Sequence, residues 1–258
     1  MRTNLSGFPV RSIRFICVSM LLLAVAGVAQ ASIIIDGTRV IYPEQSAEVS
    51  VRLTNKGELP RLVQTWIDDG DEKSSPEKID VPFAILTPIF RMEANKGQVL
   101  RIRYTKTKPL PKDRESVFWL NVLEIPAKPN TEKQAENYLQ FSFRTRIKLF
   151  LRPAGLPGTA ASAAEQLTWK YHPGALQATN PTAFNVSIKR INVGNASQGG
   201  SAEGVMVAPF STAYIALRDS KAELSNPQVV FYPVNDYGGT PELKSTAVQA
   251  NFASDSQP

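Results

Sequence analysis

Few residues in this 258-residue chain could carry covalent or acid–base chemistry, and their spacing argues against each such use. His172 is the one histidine, set between Tyr171 and Pro173 at a predicted strand end, where a surface or strand-edge role is the default. Cys17 is the one cysteine, and no His or Cys cluster has the spacing of metal ligands. Neither a P-loop nor a Gly-x-Ser-x-Gly elbow occurs. Acidic pairs such as Asp68 with Asp69, or Asp71 with Glu72, are candidates for a hydrolytic carboxylate pair. They flank Gly70 and lead to Ser74, which reads as a solvated turn. No catalytic residue, cofactor or metal is expected, and the chain reads as a non-enzyme. What stands out instead is a cluster of cations, Arg144, Arg146, Lys148 and Arg152, at the end of a long alternating segment.

That segment is the element that must position them. Over residues 139–153, Leu139, Phe141, Phe143, Thr145, Ile147, Leu149 and Leu151 fall on one side of a strand. The cations, Gln140 and Ser142 fall mostly on the other, with Phe150 the exception. Strands usually run about five or six residues, so one face of this one is long enough to extend past its own sheet. A long apolar edge is ordinarily an aggregation liability. Taken alone, Leu139, Phe141 and Phe143 read first as core-facing residues; a partner is the second reading.

The N-terminus carries Arg2, Arg11 and Arg14, then an apolar run over residues 16–28, then Ala29-Gln30-Ala31. This is the pattern of a cleavable secretory leader over residues 1–31, and the run is short of the roughly 20 residues a membrane span needs. Mature protein is expected to begin near Ser32, without stable membrane insertion. Removing three arginines and no acids lowers the formal charge from +6 to +3, and it removes Cys17. An exported chain without an internal disulfide must rely on packed cores. Its modest, dispersed positive charge carries no nucleic-acid motif.

The remaining signals are almost all β. Residues 46–54 alternate cleanly before the turn residues Asn55-Lys56-Gly57. Further short runs rich in β-branched and aromatic residues fall at 62–67, 98–104, 117–125, 166–171, 184–193, 212–217 and 228–234. Trp66, Trp119 and Trp169 each sit inside such a run, where core packing is the default. Pro153, Gly155, Pro157 and Gly158 mark a break. The division expected is 32–153, a linker at 154–163, and 164–258 with a polar tail after Phe252. Residues 194–204 read as an exposed hairpin loop. The fold class expected is all-β, with two immunoglobulin-like sandwiches.

Six blocks add a family resemblance. They are residues Gly37-Thr38-Arg39-Val40-Ile41-Tyr42-Pro43, Pro88-Ile89-Phe90-Arg91, the run 114–121 (RESVFWLN), the run 146–153 (RIKLFLRP), Ala208-Pro209-Phe210-Ser211 and Asn235-Asp236-Tyr237-Gly238. In this order, after a leader, the chain resembles the periplasmic pilus-assembly chaperones of the chaperone-usher (PapD-like) family across essentially its whole mature length. The resemblance implies two domains set at an angle around a cleft, a periplasmic location, and partners that are pilus subunits and an outer-membrane usher. It implies that Leu139, Phe141 and Phe143 complete a subunit's defective fold by donor-strand complementation. It implies that Arg39 and Lys148 bind the subunit's C-terminal carboxylate, and that Glu115, Arg152 and Asp236 form an interdomain ionic network. As exposed ion pairs these last would serve geometry more than stability.

The connection at 126–138 is short and lacks cysteine, which places the chain in the family's short-loop, rod-forming branch. Leu151 stands where the family often has an aromatic. Free chains of this kind are candidates for self-association through 139–143. A secreted carbohydrate-binding or adhesive sandwich, and a structural pilus subunit, are the alternatives; neither is expected to combine these two domains with this strand.

Overall fold

The computed structural model describes residues 32–127, 139–194, 199–220 and 224–249. The predicted leader with Cys17, most of the connection on which the branch expectation rests, residues 195–198 of the predicted hairpin loop and the predicted polar tail lie outside the described residues.

The first sandwich comprises β1 (Ile33–Ile35), β2 (Arg39–Pro43), β3 (Val49–Asn55), β4 (Arg61–Asp68), β5 (Phe83–Ile85), β6 (Ile89–Met92), β7 (Gly97–Tyr104), β8 (Ser116–Pro126) and β9 (Phe143–Arg152). One of its sheets has the order β1-β3-β7-β5 and the other β2-β9-β8-β4-β6. Alternation explains the layering: Val51, Leu53, Leu100 and Ile102 point inward from one sheet. Val63, Ile67, Phe118, Leu120, Leu149 and Leu151 point inward from the other. Tyr42 closes this core, fully buried, with its hydroxyl donating toward the Ser46 carbonyl at 3.0 Å.

The second sandwich comprises β10 (Thr168–His172), β11 (Ala175–Asn180), β12 (Val186–Val193), β13 (Gly200–Val207), β14 (Ser211–Ala216), β15 (Gln228–Pro233), β16 (Leu243–Thr246) and β17 (Val248–Gln249). Its sheets are β14-β11-β10-β17 and β13-β12-β15-β16, around a core that includes Trp169 and Phe231. Residues 200–204 belong to β13, paired with β12 from Val193↔Gly200 onward, so the predicted loop is shorter than its glycines suggested. A short helix α1 (Ala160–Ala163), capped by Thr159, falls within the predicted linker. Its Ala163 is buried in the second core.

Both sandwiches use one device to satisfy buried loop carbonyls. The Asn55 amide donates to Leu59, Met92 and Glu93 carbonyls. The Asn180 amide donates to those of Phe184, Val207 and Ala208. Asn55 has the sequence character of a turn residue alone; its side chain ties two loops together.

Candidate functional site

β9 is the centre of the site, and it begins four residues later than its alternation suggests. β8 pairs with it from Ser116↔Leu151 to Glu124↔Phe143. The next inward position, Phe141, would face Pro126, which has no N–H to donate. Leu139 and Phe141 therefore precede the strand, and Gln140 Nε2 donates to the Pro126 carbonyl at 2.7 Å. On its other edge β9 pairs in parallel with β2, only from Arg39↔Lys148 to Pro43↔Arg152. Residues 143–147 thus have a neighbour on one edge alone among the described residues. Leu139, Phe141 and Phe143 are 79%, 61% and 60% exposed, so they are not core residues. Phe143 shares the parity of Ile147 and Leu149 but overhangs the end of the core that covers them.

The outward face of the same sheet carries the charges. Register places Arg39, Lys148, Trp119 and Asp68 as successive cross-strand neighbours in one row. Arg146, Asn121 and Trp66 form the adjoining row. Phe150, the apolar residue on the polar side, is buried under the Arg39 guanidinium, 5.6 Å from its ring centre.

Arg39 and Lys148 face a cleft of about 650 Å³ whose far wall includes Ser187, Val234 and Gly238 of the second sandwich. Arg39 Nη1 donates to the Val234 carbonyl at 2.7 Å, and Lys148 Nζ to Ser187 Oγ at 3.1 Å. Arg39 Nε is buried without a hydrogen-bond partner among the described residues. Burial, then the Arg39 charge, lowers the Lys148 pKa below its ordinary 10.5. Burial also lowers that of Arg39, with Asp236 and Glu115 opposing it in part. Two desolvated cations and a spare buried N–H make a site receptive to an anion. The cleft needs close approach of the domains: Gly238 has φ +85°, and a Cβ there would lie 2.7 Å from Thr38 Oγ1.

The structure also brings Glu115, Arg152 and Asp236 together. Arg152 Nε donates to Glu115 Oε1 at 2.7 Å, and its two terminal nitrogens form a fork on Asp236 at 2.7 and 2.9 Å. Glu115 Oε2 accepts the Asn185 backbone N–H at 2.8 Å, and the Glu115 N–H donates to the Ala183 carbonyl. The Glu115 side chain is only 2% exposed, which corrects the expectation of exposed ion pairs. Burial works against the Arg152 charge, but its two carboxylates outweigh this and raise its pKa. The second sandwich thus meets the first through backbone groups of Ala183 and Asn185 that sequence patterns do not single out.

Two further corrections concern the tryptophans and the acids. Trp169 is core, but Trp66 and Trp119 lie on the outward face beneath Arg144 and Arg146, at 5.0 and 4.7 Å from guanidinium to ring centre. Asp68 is not in a solvated turn; it ends β4, fully buried, with Trp66 on the same face two residues back. Asp69 is exposed, and Asp71 caps a turn through Ser74. His172 is exposed at the end of β10. No cluster of three or more His, Cys, Asp or Glu is placed to hold a metal among the described residues.

Two immunoglobulin-like sandwiches that share a cation-lined cleft, with an apolar strand overhanging one of them, define a two-domain β protein built to hold another chain. Residues 32–157 match the family of pili and flagellar-assembly chaperones, PapD N-terminal domain, and residues 162–245 match the pili assembly chaperone PapD, C-terminal domain. The chain belongs to this pilus-assembly chaperone family. It is 43% identical over 217 residues to the probable fimbrial chaperone YadV of Escherichia coli K12, covering 82% of this chain and 88% of that one. It is 42% identical over 223 residues to the chaperone protein FimB/FhaD of Bordetella pertussis, covering 85% and 89%. The crystal structure of the YadV chaperone superposes with a TM-score of 0.72 at 39% identity, covering 84% of this chain and all of that one. A Salmonella enterica SafA pilin in complex with the SafB chaperone matches with a TM-score of 0.71 at 26% identity, covering 85% and 98%.

Proposed function

We propose that this protein is a periplasmic chaperone that binds pilus subunits, lends them β9 and its apolar approach, and passes them to an outer-membrane usher. The observation that carries this reading is the one-sided stretch of β9, which opens on Phe143 and is preceded by Leu139 and Phe141, three exposed apolar side chains in alternation. An open edge offers main-chain hydrogen bonds of any sequence, and alternate side chains supply the register. The relatives' names as fimbrial chaperones and the SafA–SafB complex support it. The export leader supports a periplasmic site, and no helix among the described residues is long and apolar enough to cross a membrane.

Leu139, Phe141 and Phe143 are the donors in this reading. Burying three such side chains contributes about 1.5–3 kcal/mol each, against an association cost on the order of 4–15 kcal/mol. The ladder and a second anchor must supply the rest. That anchor is the cleft, where Arg39 and Lys148 take the subunit's terminal carboxylate. Glu115, Arg152 and Asp236 keep the cleft open at one width.

Co-expression with a pilus subunit is expected to yield a one-to-one periplasmic complex with unpolymerised subunit. The double variant Phe141→Glu, Phe143→Glu is expected to lose that complex at an unchanged melting temperature, because both side chains are exposed in the free protein. Retention of the complex would remove these residues from the donor role.

The anchor carries its own signature in pH. A bound carboxylate favours charged Lys148, so binding raises the pKa that burial and Arg39 lower. Affinity for a peptide with a free C-terminus is therefore expected to fall as pH rises from neutrality through the depressed Lys148 pKa, before the ordinary 10.5 is reached. Lys148→Arg is expected to flatten this dependence, since arginine keeps its charge. Calorimetric titration with free and amidated peptides measures both. A wild-type profile indifferent to pH, or binding of the amidated peptide, would remove Lys148 from the anchor.

A further inference from the structure

Asp68 is the most enclosed carboxylate of the outward face; it lines neither the cleft nor the exposed triplet, although its partner Arg146 borders the cleft. Its side chain is 0% exposed and lies against Arg146, whose Nε donates to Oδ2 at 3.0 Å while Nη2 donates to Oδ1. Asn121 Nδ2 donates to Asp68 Oδ2 at 2.7 Å, and the Gly70 N–H to Oδ1 at 2.8 Å. Gly70 has φ +124°, and a Cβ there would meet the Trp119 ring at 3.1 Å, so glycine lets the chain turn back over the cluster. Burial works to raise the Asp68 pKa, but these hydrogen bonds outweigh it and hold the carboxyl below its ordinary 3.8. Arg144 completes the group: Nε donates to Asn121 Oδ1 at 2.8 Å, Nη1 to the Glu72 carbonyl at 2.6 Å, and Nη2 stands 3.6 Å from Asp68. Each guanidinium also lies over a tryptophan ring.

We propose that Asp68, Arg144 and Arg146 form a register clamp that fixes the one-sided stretch of β9 before a partner arrives, and so act as positioning residues for strand donation. This rests on the donor reading above. A strand paired on one edge, with its inward Phe143 and Thr145 exposed beyond the core, is held weakly by its backbone. Alternation excludes a slip of one residue, which would invert both faces, but it tolerates a slip of two. The clamp does not. A slip of two places either Ser142 where Arg144 stands or Lys148 where Arg146 stands. The first loses every Arg144 contact, and the second replaces a bidentate fork with a point charge.

Register reaches the anchor as well. Lys148 lies two residues beyond Arg146 and opposite Arg39, so the clamp that seats Arg146 also sets the distance from the cleft to the apolar donors. Two arginines at alternate positions repel, and one buried carboxylate at the end of β4, reaching across β8, holds both without a rotamer-rich partner on the open edge. Preorganisation of this kind lowers the ordering cost of binding.

The test uses the full mature chain. Hydrogen exchange of the 143–147 amides is compared with that of β3 and β7 in wild type, Asp68→Asn and Arg144→Lys. Arg144 is 31% exposed in its side chain, so its variant is expected to fold even where Asp68→Asn is marginal. Both variants are expected to accelerate exchange at 143–147 by about tenfold or more while β3 and β7 exchange as in wild type. Capture of a co-expressed pilus subunit is expected to slow by a similar factor; in Arg144→Lys, which keeps its charge and does not line the cleft, affinity for a short free-carboxylate peptide is expected to stay within about twofold. Exchange rising equally throughout the sandwich would overturn the proposal, as would unchanged local exchange and capture: the cluster would then serve stability alone. Failure of wild type to capture any subunit would overturn the donor reading itself, with the exchange result still reporting whether the clamp holds β9.

Discussion

Lys148→Ala is expected to lower subunit capture on the order of 100-fold, through loss of one or two charge-assisted hydrogen bonds to the terminal carboxylate, with no loss of thermal stability. The second half of this expectation is the more discriminating. Most buried charges are paired, and removing one leaves its partner stranded. Lys148 differs, because its neighbour in the row is another cation and its pKa is pushed down by burial and by Arg39. The free protein holds this ammonium at a cost. Its removal deprives Ser187 of one donor, worth about 1 kcal/mol, and relieves repulsion on Arg39. The melting temperature is therefore expected to stay level or rise. Wild-type recovery of subunit complex from Lys148→Ala cells would remove the residue from the anchor; a folded-state collapse would show that Lys148 serves the domain interface instead.

Arg152→Ala is expected to do the opposite, destabilising the protein by about 3–5 kcal/mol by leaving buried Glu115 unpaired and freeing the two sandwiches to change their mutual angle. Glu115 would retain the Asn185 N–H, a neutral donor set against a full charge. Asp236→Ala is expected to cost less, since Arg152 keeps its bond to Glu115 and Asp236 itself is 30% exposed. Both variants lose the fork that crosses from β9 to the second sandwich, so both are expected to alter the small-angle scattering profile. Denaturant unfolding gives the rank order. Equal midpoints for the two variants would show that Glu115 is not the charged group at risk, and unchanged scattering would show that other contacts fix the domain angle.

How much of this was legible beforehand follows from range along the chain. β3 appears in the sequence by its clean alternation, and β4, β7, β8, β10, β12, β14 and β15 as runs rich in β-branched and aromatic residues, each within a few residues of its ends, because each has one face in a core. The strands of two to four residues, β1, β5, β6, β16 and β17, do not, because so few residues show no period. β9 was legible as a strand but not in extent: its alternation continues through Leu139, while its ladder stops where Pro126 offers no N–H.

Asp68 shows the limit most clearly. Beside Asp69, Gly70 and Asp71 it reads as turn chemistry, and its parity with Trp66 is the only local sign that it belongs to a strand face. Its partner Arg146 lies 78 residues away.

By itself, then, the sequence determined the two β-sandwiches and the unusual strand with its apolar and cationic sides, since these depend on period, composition and local turn chemistry. The family resemblance supplied candidates for the cleft and the interdomain network. Only the tertiary structure decided which charges are buried and with whom. It set Arg39 beside Lys148 with no acid between them, buried Glu115 against Arg152, and wedged Asp68 between two arginines and two tryptophans. Burial and pairing are properties of cross-strand register, and register is written in contacts between residues distant in the chain, which spacing along it cannot display.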